Sequence, residues 1–128
     1  MRYVQFRANN GGVQHLGAQI TSDVDIFDLS AVDSSIPNCL VKFLATGKEV
    51  RDKTKRVIGA GKSIVSLSDV TFLSPITKPD KVVCVGLNYT GHCDEQNKPY
   101  PEEPMFFSKF SSCIIGPNDT IEIPKVSD

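Results

Sequence analysis

The run Lys81-Val-Val-Cys-Val-Gly86, followed directly by Leu87-Asn-Tyr-Thr-Gly-His-Cys-Asp-Glu-Gln96, decides how this chain is read. The first part is an apolar, strand-sized run, with no alternation to mark a wet face. Such a run predicts a strand buried on both faces. The second part leaves that strand through a glycine and concentrates Asn88, Tyr89, His92, Asp94 and Glu95 within eight residues. His92 and Glu95 are three apart, so a single helical turn puts them on one face. A carboxylate beside an imidazole orients the ring and stabilises its charged form, and such a pair can activate water or move a proton near neutral pH. A solvated turn carrying ordinary polar residues is the plainer alternative. Cys93, between the two, reads as a bystander, because no second base is evident to activate a thiol.

Downstream, prolines at 99, 101 and 104 precede Met105-Phe-Phe-Ser-Lys-Phe110, a second strand. Lys109 on it is an ordinary outward-facing residue unless an anionic partner holds it inward. Ile114-Ile115, Gly116-Pro-Asn-Asp119 and Ile121-Glu-Ile123 then predict a strand, a turn and a strand.

Upstream, Pro75 to Pro79 forms a stiff linker, which places a domain boundary between residues 74 and 75. Before it, Val4 and Phe6 alternate with Tyr3, Gln5 and Arg7, and Asn9-Asn-Gly-Gly12 marks a turn, so Val13 to Ile20 is expected to return as the second arm of a hairpin. Val24-Asp-Ile-Phe-Asp-Leu29 is a third strand candidate, and Val70-Thr-Phe-Leu73 a later one. Two helices are expected between them. One follows Pro37 with Cys39, Leu40, Phe43 and Leu44 on its apolar face, and the other covers Lys48 to Ile58 with a thin stripe of Val50, Thr54, Val57 and Ile58. Gly59-Ala-Gly-Lys-Ser63 has the look of a phosphate loop. However, Arg56 stands where the motif needs its first glycine, and a charged helix precedes it, so a helix C-cap is the better reading. Residues 1–74 thus form a small unit of helices on a few strands, within an overall α+β class.

Composition excludes several roles. The chain has 128 residues, 40% of them hydrophobic and 23% charged, with a formal net charge of -1. These values fit a globular chain. There is no basic excess for nucleic acid or an anionic membrane surface. No apolar run approaches the roughly 20 residues of a membrane helix, and the N-terminus reads as a strand rather than a signal or transit segment. Cysteines 39, 84, 93 and 113 have no CxxC spacing, and only His15 and His92 could complete a zinc site, so scattered reduced thiols are expected. The sequons at Asn88 and Asn118 are expected to be unused.

Lys78-Pro-Asp-Lys-Val-Val-Cys-Val-Gly-Leu-Asn-Tyr89, His92-x-x-Glu95 and Pro104-Met-Phe-Phe-Ser-Lys109 together resemble the fumarylacetoacetate hydrolase (FAH) family. Arg2 to Arg7 and Val70 to Pro75 resemble a mitochondrial subgroup of it. The resemblance implies a small N-terminal domain (1–74) followed by the first strands of a mixed β-roll (75–128), with the chain corresponding to the N-terminal portion of such a protein. It implies a homodimeric, metal-dependent enzyme acting on small 2-oxo dicarboxylic acids, foremost as an oxaloacetate keto–enol tautomerase. Acylpyruvate hydrolysis and oxaloacetate decarboxylation are the alternatives, as is a non-catalytic chain that pairs with the full-length enzyme. His92 and Glu95 match the family's acid–base dyad on a lid helix, Lys109 the lysine of its Phe-x-Lys strand, and Asn88 and Tyr89 are assigned as substrate contacts. Magnesium or manganese is the implied cofactor. The implied ligands, a Glu-x-Glu pair and a later aspartate, fall beyond Asp128. Glu102-Glu103 and Glu122 do not supply that pattern, so the isolated chain is expected to be inactive. Phe110 stands where the family commonly has proline, and Leu87 where some members have arginine. Mitochondrial location is implied by the resemblance, with the cytoplasm as alternative.

Overall fold

The computed structural model describes residues 1–21 and 25–126. Two compact units are present: Met1–Thr77 with Ile115–Asp128, and Lys78–Ile114. The class is α+β, as expected.

In the first unit, strands β1 (Arg2–Ala8) and β2 (His15–Gln19) form the expected hairpin around the Asn9 to Gly12 turn, where Gly11 and Gly12 both take positive φ. Strands β3 (Ile26–Asp28), β4 (Ile64–Val65) and β5 (Val70–Phe72) complete an antiparallel sheet of order β4-β3-β2-β1-β5. Directly paired residues share a sheet face. The register therefore puts Tyr3, Gln5, Leu16, Ala18 and Phe27 on one side, and Val4, Phe6, Gly17 and Ile26 on the other. The first side is covered by helices α1 (Leu29–Val32), α2 (Leu40–Leu44) and α3 (Lys48–Gly59), and Leu16, Ala18, Leu29, Ile36, Phe43 and Val57 make its core. On the second side Phe6, Ile26 and Val70 form a smaller cluster. Gly17 is obligatory there, since an added Cβ would lie 2.3 Å from Ile26 Cγ2 and 2.9 Å from Phe6 Cε1.

The third strand is shorter than expected. Val24 lies outside the described residues, and Asp28 ends β3 because its carboxylate caps α1, accepting from Ala31 N at 3.0 Å. His15 Nδ1 lies 2.8 Å from Asp28 Oδ2, an ion-pair distance without hydrogen-bond alignment. Helix α3 ends at Gly59, with Ala60 N donating to Arg56 O and Gly61 at φ +61°. The Gly59 to Ser63 stretch is thus a helix terminus, as read.

Buried Gln5 organises this unit. Its Nε2 donates to Ser74 O at 2.7 Å and Pro75 O at 3.0 Å, while its Oε1 accepts from Leu40 N at 2.7 Å and Gln14 Nε2 at 2.9 Å. One side chain thereby fixes β1, the segment leaving β5 and the start of α2, whose own N-cap residue Cys39 makes no side-chain cap.

In the second unit, β6 (Val82–Gly86) pairs with β7 (Met105–Lys109), and α4 (Thr90–Glu95) lies between them in sequence. Two expectations fail, one in this unit and one at residues 114–123, most of which belong to the first unit. β6 is not buried on both faces: Val83 is 64% exposed and Val85 is exposed as well, because within a two-stranded ribbon nothing covers them. The strands expected at Ile114-Ile115 and Ile121–Ile123 do not form. No sheet edge receives those residues, Gly116 to Asp119 closes as a turn, and Ile121 and Ile123 are exposed.

Candidate active site

The end of β6 sets the geometry. Leu87, the residue after Gly86, takes φ +47°, the left-handed region that costs a branched side chain free energy and is retained where surroundings enforce it. Cys93 packs against this residue. It is 1% exposed, and its thiol donates to Leu87 O at 3.6 Å. The backbone of the same residue accepts from Gln96 N and Lys98 N, closing the helix end. Cys93, read as a bystander to the chemistry, is thus a buried structural residue of this unit. A buried thiol donor of this kind leaves no periodic mark in a sequence.

Helix α4 delivers the expected single turn, with His92 and Glu95 both on it. The two do not form an ion pair within 4.0 Å among the described residues. Instead Gln96 Nε2 lies against His92 Nε2. An amide NH2 can only donate, so the imidazole nitrogen takes the accepting role in this contact. Asp94, between the dyad positions, accepts from Tyr100 Oη at 2.8 Å, and this bond raises the Tyr100 phenol above its ordinary 10.0, with desolvation and Cys93 adding to it. Neither the Gln96 nor the Tyr100 partnership was legible, since one depends on a rotamer and the other bridges the proline-rich loop.

A cavity of about 370 Å³ opens beside this turn, lined among others by Leu87, Asn88, Thr90, Tyr100, Glu102 and Glu103. Asn88 thus faces the cavity. His92, Glu95, Tyr89 and Lys109 do not line it, and Tyr89 is exposed. Lys109 sits on β7 opposite Val82, exposed and without an ion pair among the described residues. Two carboxylates, Glu102 and Glu103, border the cavity with no cation among its lining residues. Alone it would repel a dicarboxylate.

Comparison with known proteins bears on what such a turn belongs to. Residues 81–128 match the family model described as "Fumarylacetoacetate (FAA) hydrolase C-terminal". The chain is also 44% identical over 127 residues, 99% of its length, to "Oxaloacetate tautomerase FAHD2A, mitochondrial" of Homo sapiens. The chain is related to the fumarylacetoacetate hydrolase family. Its similarity to "Oxaloacetate tautomerase fahd2, mitochondrial" of Xenopus laevis is 40% over 127 residues. To the Dictyostelium discoideum homologue of fumarylacetoacetate hydrolase domain-containing protein 2 it is 38% over 119 residues. The chain spans about 40% of the length of the human relative. Among solved structures, a Mycobacterium smegmatis protein given the HpcE designation matches 94% of this chain and 40% of its own, with TM-score 0.51 at 22% identity. That likeness concerns the fold.

Among the described residues no three His, Cys, Asp or Glu side chains are grouped to hold a metal ion. The divalent ion implied by the family resemblance does not fit a donor set within this chain's described part.

Proposed function

We propose that this chain forms part of an enzyme that interconverts the keto and enol forms of oxaloacetate, with residues 1–74 as its small domain and 75–128 opening its catalytic domain. The observation that supports this most is the 44% identity to relatives named oxaloacetate tautomerases, which extends through the α4 turn. In this reading Asn88 and Tyr89 contact the substrate, Lys109 balances a carboxylate, and the His92/Glu95 pair moves a proton. A base removes a proton from the carbon next to the carbonyl, the C–H electron pair becomes the C=C bond, the carbonyl π pair moves to oxygen, and a proton is returned to that oxygen. Gln96 must release His92 Nε2 for the ring to take this part, and α4 must move its dyad toward the cavity, as lids do on substrate binding. A magnesium or manganese ion, held by ligands outside the described residues, would supply Lewis acidity for the developing enolate oxygen. The whole enzyme is proposed as a homodimer, and mitochondrial location follows the names of its relatives.

The test joins this chain to the part of the human relative it does not match and follows loss of enol-oxaloacetate absorbance. His92→Gln and Glu95→Gln are expected to lower kcat by about 10²–10⁴-fold. Unchanged turnover in both would refute the dyad assignment.

A further inference from the structure

Strand β5 covers only part of the edge of β1. The two strands pair at residues 6–8 of β1, and the chain leaves β5 at Leu73, whose N–H donates to Gln5 O at 2.8 Å. Backbone groups alternate in direction along an antiparallel strand, so Tyr3 turns its N–H and C=O the same way as Gln5. No strand among the described residues meets them there, because β5 ends at Phe72.

A second cavity, of about 230 Å³, lies beside this open stretch of edge. Tyr3 and Gln5 border it with their side chains committed elsewhere, Tyr3 to Thr54 Oγ1 and Gln5 to the four partners described above, so they offer it the strand edge. Arg2 and Gln19 are paired across the sheet, and Arg2 Nη2 donates to Gln19 Oε1 at 3.2 Å. Gln19 is buried, so the guanidinium is tied to a fixed anchor, and it makes no ion pair among the described residues. Arg2 is also the only charge among the described lining residues. The other walls are apolar. Val4 and Phe72 pack on the Phe6, Ile26 and Val70 cluster. Pro117 is held by its neighbour Gly116, which approaches β5 so closely that an added Cβ would stand 2.9 Å from Phe72 O. Asp119, the nearest acid in sequence, accepts from Gly116 N at 2.7 Å.

We propose that this cavity binds a small monocarboxylate with a compact apolar body, such as an aromatic carboxylate. A guanidinium has five N–H donors in a planar fork, so Arg2 keeps donors for a carboxylate beyond the one given to Gln19. The Tyr3 N–H at the open edge is a further donor, and Val4, Phe72, Pro75 and Pro117 take the apolar body. A second carboxylate would be desolvated against those walls without a partner, which selects against dicarboxylates. The site therefore stands apart from the dicarboxylate chemistry proposed above and does not depend on it. A peptide strand is the poorer fit, since the open edge offers the backbone groups of one residue. The cavity is smaller than the roughly 300–1,000 Å³ of a drug-sized pocket, so a ligand of about ten heavy atoms suits it, with Kd on the order of a millimolar.

The test titrates the whole chain with sodium benzoate at constant ionic strength and follows amide chemical shifts. Benzyl alcohol, acetate and succinate serve as comparison probes. Benzoate is expected to saturate, with shifts centred on residues 2–5, 19, 72–73 and 116. Benzyl alcohol lacks the charge, acetate the body, and succinate carries a second charge, so each should bind at least tenfold more weakly. Arg2→Gln should reduce benzoate to the level of benzyl alcohol, Pro75→Glu should weaken it at least tenfold, and Arg2→Lys should retain part of it. Arg51→Gln, on the helical side of the sheet, should leave it unchanged. Arg2 and Pro75 are exposed, so far-UV circular dichroism of these variants should match the parent. The probe series on the parent chain decides the matter even where a variant fails to fold. Shifts that never saturate or spread over the chain, equal affinity for benzyl alcohol, or indifference to Arg2→Gln would mean an adventitious additive only and would overturn the proposal.

Discussion

Replacing Gln5 by leucine is expected to cost about 2–4 kcal/mol of stability, although the side chain is nearly the same length and becomes more apolar. The side chain makes four hydrogen bonds, to Ser74 O, Pro75 O, Leu40 N and Gln14 Nε2. Pro75 is exposed and can turn to water, and half-buried Gln14 keeps a second acceptor in Asn38 O, so their loss is cheap. Leu40 N and Ser74 O are partly buried and are left unpaired, at roughly 1–3 kcal/mol each. For Leu40 the loss is that of a helix cap, about 0.5–2 kcal/mol, since Cys39 offers no side-chain substitute. Extra apolar burial by leucine returns part of this. At roughly 4 °C per kcal/mol for a domain of this size, Tm should fall by about 8–16 °C in a thermal melt followed by circular dichroism. Gln5→Glu supplies a sign test. Its carboxylate would meet two carbonyl oxygens, whereas the protonated acid restores one donor, so its destabilisation should shrink as pH falls through the raised pKa of that buried group. A Gln5→Leu protein as stable as the parent, or a Gln5→Glu penalty that ignores pH, would refute the account of Gln5 as the joint between β1, α2 and the segment after β5.

Further outcomes follow from other contacts. Gly17→Ala places a methyl against Ile26 and Phe6 and should destabilise by about 1–3 kcal/mol, measurable by urea denaturation. Asp94→Asn should bring the Tyr100 phenolate titration, followed by absorbance, back toward the ordinary value. Because the folded pKa of Tyr100 is raised, any stability the bond contributes is present below about pH 10 and is lost as pH rises through the folded value. Asp52, whose carboxyl is lowered chiefly by its hydrogen bond from Lys48, works the other way: its contribution to α3 holds above the model-peptide range and fades as acid titrates it, and Asp52→Asn should remove that acid dependence in a helicity titration.

The N-terminal unit was largely legible because its signals are local. Alternation gave β1, the Asn-Gly turn gave the hairpin, and the stripe Val50, Thr54, Val57 gave α3, of which Thr54 and Val57 are indeed buried. Helix α1 escaped because Leu29 to Val32 is too short to show a period, and the Asp28 cap that starts it looks like any acidic residue. In the second unit, patterning found β6 and β7, and the resemblance implied α4, but burial was misjudged, since an apolar run reports the environment a strand requires and this ribbon does not contain it. The site was read in part. The His92/Glu95 spacing placed both on one helical turn, while the Gln96 contact to His92 and the Cys93–Leu87 contact at the start of the turn depend on rotamers and on a left-handed residue that sequence periodicity does not encode.

The central claim of the proposed reading is that the His92/Glu95 turn works together with a divalent ion, for which the described residues group no donor set. Purified chain mixed with enol-oxaloacetate and magnesium, beside full-length human FAHD2A as reference, tests this directly. The account predicts enol decay no faster than buffer with magnesium, and no change on adding a chelator. A magnesium-dependent rate comparable to the full-length relative would contradict it.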